Sequence, residues 1–300
     1  MTAHWTALIV FLVGAIASQV ALEGKFQRPI DTLPPVTWLR SPELSKRVTL
    51  GFDSLLADAY WIRAVQYYGD AKLSTSKKKE YGLLYPLLDI TTTLDPRFNI
   101  AYRFGAILLS EGYPNGPGNP DQAIALLKKG IEEMPDRWQY YHDAGFVEYW
   151  WRHDYKAASE WLLKAAKLPN APRWLEPTAA GMLARGGDRD SARALWSELA
   201  ATSGQDWIRS SAKKALLQLD AEAVIEQLEF LAQRFFDARG RFPASWNELV
   251  TAGLLGGIPL DPTGMPYVID SVSGAVDVAP DSPLFPLRRS DPPPVAALDR

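Results

Sequence analysis

The strongest constraint on the fold is a helical pattern framed by two prolines 34 residues apart, Pro135 and Pro169. Small residues stand in the first half of this stretch, at Ala144 and Gly145, and again in the second half, at Ala157. Small side chains let two helices approach closely, large ones fill the space that remains, and proline stops the second helix. The pattern therefore predicts two helices packed as a hairpin.

The same pattern recurs on both sides of this stretch. Upstream, residues 96–135 repeat it around Gly105, with the loop YPNGPGNP as an insertion. Downstream, residues 187–200 align with residues 153–166. The residues paired by this alignment are Asp188 with Asp154 and Ala192 with Ala158. Residues 43–98 would form a further, degenerate hairpin, so the pattern predicts a series of hairpins.

The unit between the two prolines resembles the tetratricopeptide (TPR) repeat, a helical hairpin of about 34 residues. The residues that carry the resemblance are Trp138, Tyr141, Ala144, Gly145, Ala157, Trp161 and Pro169. Glu148 and Lys164 depart from the TPR pattern, although Tyr149 and Ala165 lie one residue away. The resemblance covers roughly residues 50–205 and implies an α-solenoid.

The end of the chain has a different character. Ser245 and Glu248 are spaced as a capping box that starts a short helix, and residues 267–269 and 275–278 predict a two-strand hairpin. The order of a long helix, GRFP, a short helix and IPLDPTGMPY resembles the C-terminal part of type II secretion pseudopilins over residues 222–278. The resemblance implies a borrowed fold element and not a pilus subunit.

The N-terminus predicts a membrane segment. Residues 5–22 carry no charge, and their length just suffices to cross a bilayer as a helix. A signal peptide cut after residues 15–17 and a buried core helix are the alternatives. We expect an uncleaved anchor in the bacterial inner membrane, with the rest of the chain outside the cytoplasm. Lys25, Arg28 and Arg40 follow the segment, however, and favour the opposite orientation.

The expected fold class is mainly α: a TPR-like helical-hairpin solenoid between an N-terminal hydrophobic helix and a small C-terminal module of a helix and a β-hairpin. The expected parts are an anchor or signal segment at 1–24, a proline-rich linker at 25–42, the solenoid at 43–218, a pseudopilin-like α+β module at 219–279 and a disordered tail at 280–300.

The composition argues against several kinds of chemistry. The chain has no cysteine, which excludes disulfides and thiolate sites, and its three histidines are too scattered for a metal site. Neither a phosphate-binding loop nor a Gly-x-Ser-x-Gly motif is present. The net charge of -3 gives no reason to expect nucleic acid. We therefore expect no catalytic residue, no metal and no cofactor.

Carboxylates leave an enzymatic alternative open. Asp53, Asp58 and Asp143 fall on predicted helices, and paired acids in an aromatic cleft could hydrolyse envelope glycans. Such an enzyme needs two carboxylates facing each other across the groove. The favoured interpretation is that these acids cap helices or pair with Arg63 and Arg103.

The TPR resemblance implies a concave groove lined by the first helix of each hairpin. In the middle repeat the groove places hold Gln139, His142, Phe146, Tyr149 and Trp150. The preceding hairpins contribute Arg63, Gln66, Tyr67, Arg103 and Ile107. The Lys and Asn with which some TPR domains clamp a peptide carboxylate are absent from these places. An apolar helix or an extended protein segment is therefore the expected ligand.

These features together predict a non-catalytic, membrane-anchored scaffold. Its partner would be a protein or peptide segment of a membrane or envelope complex, for example a secretion or pilus assembly system, and the aromatic groove would hold it. A further alternative is a purely structural module whose groove is filled by its own tail, residues 280–300.

Overall fold

The computed structural model of the protein describes residues 11–18 and 51–287. Residues 51–287 form ten α-helices, one π-helical turn and one antiparallel pair of short strands. The predicted mainly α class with a C-terminal β-hairpin is therefore confirmed. The chain divides into two compact units, Met1–Leu126 and Leu127–Arg300.

The first unit is built around helix α2. Its helices are α1 (Asp53–Leu73), α2 (Leu84–Leu94), α3 (Asn99–Ser110) and the part of α4 (Pro120–Glu133) up to Leu126. Helix α2 packs against both α1 and α3. Gly105 of α3 is buried, and a Cβ atom there would lie 2.9 Å from Leu126 Cδ2 and 3.0 Å from Leu88 Cδ1. A small residue at this place therefore permits close packing, as the repeat pattern predicts.

The second unit continues the helical chain. Its helices are α5 (Trp138–Val147), a π-helical turn (Glu148–Arg152), α6 (Tyr155–Ala166), α7 (Leu175–Arg185), α8 (Arg189–Thr202), α9 (Asp206–Arg239) and α10 (Trp246–Thr251). From α5 to α9, each helix packs against the next one along the chain. Neighbours in sequence are therefore neighbours in space.

Helices α5 and α6 approach each other closely at Gly145. A Cβ atom on Gly145 would lie 3.1 Å from the carbonyl oxygen of Ala158 and 3.3 Å from Leu162 Cγ. Ala144 and Ala158 are also fully buried. The close approach predicted from Ala144 and Gly145 is confirmed. On α6, however, the residue at the contact is Ala158 and not the predicted Ala157, which is half-buried.

The aspartates paired by the repeat alignment have the same structural role. Asp154 and Asp188 are the N-caps of α6 and α8, and each carboxylate accepts a hydrogen bond from the backbone N–H three residues later, at 2.9 Å and 3.2 Å. The residue before each cap, His153 or Gly187, has a positive φ angle, of 52° or 79°. Such caps satisfy an otherwise unpaired donor at the helix start. The two aligned segments therefore begin their helices in the same way.

Helix α9 is longer than the sequence patterns suggested. It runs without interruption through the predicted boundary at residues 218 and 219, and it ends before Gly240, whose φ of 72° suits the left-handed position after a helix. Its C-terminal half forms a core with α10 and the strands. Within that core, Trp246 Nε1 donates a hydrogen bond to the Tyr267 carbonyl oxygen at 2.7 Å. One helix thus serves both the helical array and the C-terminal module.

The start of α10 corrects one prediction. Ser245 precedes the helix as expected, but its side chain makes no capping hydrogen bond. Glu248 instead accepts a hydrogen bond from Arg241 Nη1 at 2.8 Å and one from the Ala244 backbone N–H at 3.5 Å. The predicted capping box is therefore wrong, because the carboxylate is drawn to the preceding loop.

The β-hairpin forms as predicted. Strands β1 (Tyr267–Ile269) and β2 (Val276–Val278) pair antiparallel, with Tyr267 opposite Val278. The residues that face α9 and α10 from the two strands include Tyr267, Val276 and Val278, all of them buried. The alternation of buried and half-buried residues along β2 follows from the period of two in a strand.

The structure describes the first eight residues of the predicted disordered tail, 280–287, and they are folded. The Leu284 side chain is 1% exposed and belongs to the core of the C-terminal module. The Ser282 hydroxyl donates to Asp261 Oδ2 at 2.5 Å. Burial acts to raise the pKa of the Asp261 carboxyl, but the bonds from Ser282, Thr263 and Met265 outweigh it and lower that pKa. The disordered tail was therefore predicted to begin too early in the chain, because Leu284 is part of the core.

The predicted membrane segment lies largely outside the described residues. Of residues 5–22 the structure describes only 11–18, which are helical and exposed. Within residues 11–18 and 51–287, no helix combines the length and the apolar character that a membrane span requires. The linker predicted at residues 25–42 and the tail beyond residue 287 also lie outside the described part.

Candidate functional site

The predicted groove residues of the middle repeat lie on α5 and on the π-helical turn that follows it. Three of them form a surface of contacting rings, which we call the aromatic face: Phe146, Tyr149 and Trp150. The Phe146 and Trp150 rings stack with centroids 6.0 Å apart and an interplanar angle of 17°. Tyr149 meets Trp150 nearly edge-on at 6.0 Å. The sequence pattern thus located a real cluster of aromatic side chains.

The aromatic face is open to solvent. Phe146 is 39% exposed and Trp150 is 57% exposed. Large apolar rings in a core are normally buried, and exposed rings that lie together often mark an interaction surface. The stacked pair offers a flat apolar surface to a ligand, while Trp151 supports Phe146 from the side at 5.5 Å in an edge-to-face arrangement.

The π-helical turn positions these rings. A π-helical turn contains more residues than an α-helical turn and occurs frequently at functional sites. Here it coincides with the place where Glu148 departs from the repeat pattern and Tyr149 lies one residue on. Glu148 is 5% exposed, and its two carboxylate oxygens each lie 3.2 Å from Arg152 Nη1. The turn therefore buries the acid and leaves Trp150 exposed.

Tyr149 is held by a residue that sequence reasoning missed. Arg185 at the end of α7 donates a hydrogen bond from Nη1 to the Tyr149 hydroxyl at 2.7 Å, and its guanidinium carbon lies 5.3 Å from the ring centroid. Tyr155 of α6 packs edge-on against the same ring at 5.7 Å. Arg185 is 36 positions from Tyr149, and no local pattern links them. Packing of α7 on α6 brings them together.

His142 belongs to a second group of rings. Its imidazole meets Trp174 edge-to-face at 5.4 Å, and Trp138 meets both His142 and Trp174 at about the same separation, 6.1 Å and 6.2 Å. Asp143 Oδ1 lies 3.0 Å from His142 Nδ1. His142 therefore packs among tryptophans at the N-terminal part of α5. Trp174 is a further residue that the groove prediction missed, because it lies in the loop before α7.

Two further residues of this hairpin are Gln139 on α5 and Trp161 on α6. Gln139 is half-buried in the first turn of α5. Trp161 lies on α6 and packs against Tyr141 of α5 at 6.0 Å, with Lys164 Nζ 4.7 Å from its ring centroid. Trp161 therefore packs between the two helices of the hairpin.

The other predicted groove residues belong to the first unit. Arg63, Gln66 and Tyr67 lie on α1, and Arg103 and Ile107 lie on α3. Gln66 and Ile107 are exposed, whereas Arg63 and Arg103 are half-buried.

Tyr67 has a structural task in the first unit. Its hydroxyl donates to the Glu80 carbonyl oxygen at 2.8 Å and accepts from the Leu83 backbone N–H at 3.3 Å. Burial raises the pKa of this phenol. Tyr67 therefore stabilises the loop between α1 and α2, and its hydroxyl both donates and accepts a hydrogen bond there.

The three candidate acids fall into two groups. Asp53 is half-buried and Asp58 is exposed, and both lie in the N-terminal part of α1. Asp143 lies on α5 beside His142. Among residues 11–18 and 51–287, no three His, Asp or Glu side chains are grouped so that they could hold a metal ion.

A scan of the sequence against protein-family models finds no matching family, and a search of curated proteins finds no matching sequence.

Proposed function

We propose that the protein is a scaffold that binds a protein segment through the aromatic face of its second unit. The observation that supports this best is the stacked Phe146–Trp150 pair, of which both rings are exposed by more than a third. Aromatic side chains that are exposed in the free protein are the usual anchors of protein interfaces. Their loss to alanine commonly weakens binding by a factor of ten or more.

The proposed architecture is a TPR-like solenoid of helical hairpins. Three features support it: the close approach at Gly145, the similar place of Gly105 in the first unit, and the matched N-caps of α6 and α8. In such solenoids each unit packs mainly on its neighbours, and the array presents an extended surface. The aromatic face would be the part of that surface contributed by one hairpin.

The chemistry of the aromatic face favours an apolar segment as its ligand. The stacked rings supply apolar area, and the Arg185 guanidinium beside Tyr149 supplies a positive charge at its edge. Helices and extended segments both bind grooves through spaced apolar side chains. We propose a segment with at least one large apolar residue for the Phe146–Trp150 pair and a carboxylate or carbonyl oxygen near Arg185.

The proposed cellular setting rests on two segments of the sequence. We propose that residues 5–22 anchor the protein in a bacterial inner membrane. The likeness of residues 222–278 to the C-terminal part of pseudopilins suggests work in an envelope assembly or secretion system. The order of α9, α10 and the β-hairpin is consistent with that likeness.

The variant Phe146→Ala/Trp150→Ala tests the proposed binding. Wild type and variant are cross-linked in native membranes and purified, and captured proteins are quantified by mass spectrometry. Two exposed anchors at an interface are worth about 2 kcal/mol or more together, so capture of the partner should fall roughly 30-fold. The matched control is Phe230→Ala/Phe285→Ala, which removes two exposed rings elsewhere in the second unit, 64% and 44% exposed.

The control should capture the partner as wild type does. Circular dichroism and the urea midpoint of each variant establish that all three proteins are folded. Equal capture by wild type and by Phe146→Ala/Trp150→Ala would contradict the proposal and assign these rings to packing.

A further inference from the structure

A second concave surface lies where α7, α8 and α9 pack in the second unit. It encloses about 520 Å³, and we call it the tryptophan cleft because Trp174, Trp196 and Trp207 all line it. Trp207 is 50% exposed, so an indole of the cleft is open to solvent. Aromatic walls of this kind suit extended segments rich in proline, which dock against rings in grooves.

The chain itself reaches the rim of this cleft. Pro286 lines it, and the side-chain amide of Gln218, another lining residue, donates hydrogen bonds to the carbonyl oxygens of Leu284 at 2.8 Å and Pro286 at 3.2 Å. The two carbonyls are two residues apart, which is the spacing at which a side chain contacts one edge of an extended backbone. The cleft therefore already binds the backbone of the segment that precedes residue 288.

The sequence that follows is suited to the cleft. Thirteen residues come after Leu287, and Pro292, Pro293 and Pro294 stand among them. Consecutive prolines favour the polyproline II conformation, which advances about 3.1 Å per residue. The four residues between Leu287 and Pro292 can therefore span roughly 12 Å, which reaches across a cleft of this size.

One anion of the segment can pair with one cation of the cleft. The cleft is lined by the cations Arg185 and Lys214, of which Lys214 is exposed. It also contains the buried anion Glu222, whose Oε2 lies 3.6 Å from Arg189 Nε. The charged residues of the segment are Arg288, Arg289, Asp291, Asp299 and Arg300. Asp291 stands beside the prolines and can pair with the Lys214 ammonium. An exposed pair of this kind contributes little affinity but helps to fix the register.

We propose that residues 288–300 dock in the tryptophan cleft of the same chain, with the prolines against the exposed indole of Trp207. The tail would thus cover an apolar surface in the manner of a bound peptide. This inference concerns α7, α8 and α9, and it does not require a ligand at the aromatic face. The two sites share Arg185, which lines the cleft and also donates to the Tyr149 hydroxyl.

The absence of cysteine from the sequence permits a direct test. Ser210 and Ser211 are neighbouring exposed residues of α9, but of these two only Ser211 lines the cleft. The full-length variants Ser211→Cys/Ala296→Cys and Ser210→Cys/Ala296→Cys are oxidised under the same conditions, and the rate of intramolecular disulfide formation is measured. If residues 288–300 move freely and do not dock, position 296 has a similar effective concentration at position 210 and at position 211.

Docking predicts that the Ser211 variant cross-links about tenfold faster than the Ser210 variant, and that adding Trp207→Ala brings the two rates together. Equal rates in the two variants would overturn the proposal. A difference that persists undiminished after Trp207→Ala would also overturn it, because the indole would then play no part. Disulfide-linked dimers as the main product would overturn it in favour of a tail from a second copy.

Discussion

Replacing Gly145 with valine is expected to lower the free energy of unfolding by about 2–3 kcal/mol. The Cβ atom alone would stand 3.1 Å from the Ala158 carbonyl oxygen, and the two methyl groups of valine would meet the same helix. Backbone atoms cannot rotate away as a flexible side chain can, so α5 and α6 would have to separate. Urea-induced unfolding followed by circular dichroism measures the change.

The matched control for this prediction is Gly181→Val in α7. Gly181 is also a glycine inside a helix, but a Cβ atom there would meet nothing within 4 Å. Valine has a higher helix propensity than glycine by a few tenths of a kcal/mol, so this variant should be as stable as wild type or slightly more so. Equal stability of Gly145→Val and Gly181→Val would contradict the close packing of α5 on α6.

Replacing Leu284 with alanine is expected to destabilise the C-terminal module by about 2–4 kcal/mol. The side chain is 1% exposed and shares a core with residues of α9, α10 and the strands. Truncation removes the contacts of three buried carbon atoms and leaves a cavity that the neighbouring side chains fill only in part. The urea midpoint and protease resistance of this module report the loss.

Phe285→Ala is the control for Leu284→Ala. It changes the next residue of the same segment, whose larger ring is 44% exposed, and should cost about 0.5 kcal/mol or less. If both substitutions had the same small effect, residues 280–287 would not be part of the folded module. If both were strongly destabilising, burial of Leu284 alone would not explain the result.

The local parts of the fold were predictable from the sequence. Small residues such as Gly145 predicted where helices approach, and the paired Asp154 and Asp188 lie at equivalent helix starts, because both features act within one hairpin. The strands around residues 271–274 were also predicted, since their alternation of apolar residues and their turn are encoded locally. These features depend on neighbours in sequence, which a reader of the sequence can see.

Features that depend on distant contacts were missed. The pairing of Arg185 with Tyr149 arises from packing between helices, and no spacing in the sequence indicates it. The tail looked disordered because proline and charge dominate its composition, yet one leucine, Leu284, is enough to fix its first part in a core. The continuity of α9 had a visible signal, since residues 206–239 contain neither Gly nor Pro. We nevertheless predicted a boundary between residues 218 and 219, because the resemblance changes near there from TPR repeats to pseudopilins.

The candidate site was predictable in its position but not in its detail. The repeat pattern placed Phe146, Tyr149 and Trp150 on the exposed side of one hairpin, and the structure brings their rings together. The π-helical turn that sets their orientation has no simple sequence signature. Trp174 could not be assigned to the His142 group without knowing how the loop before α7 returns to α5.

Site-specific photocross-linking is the most direct test of the claim that the aromatic face binds a protein segment. p-Benzoylphenylalanine is placed at position 150 or, as a control, at position 230, in cells that express the full-length protein. We predict that position 150 yields a discrete adduct with a partner protein, that position 230 does not, and that Phe146→Ala abolishes the adduct at 150. The same adducts from both positions, or an adduct at 150 that Phe146→Ala leaves unchanged, would contradict the claim.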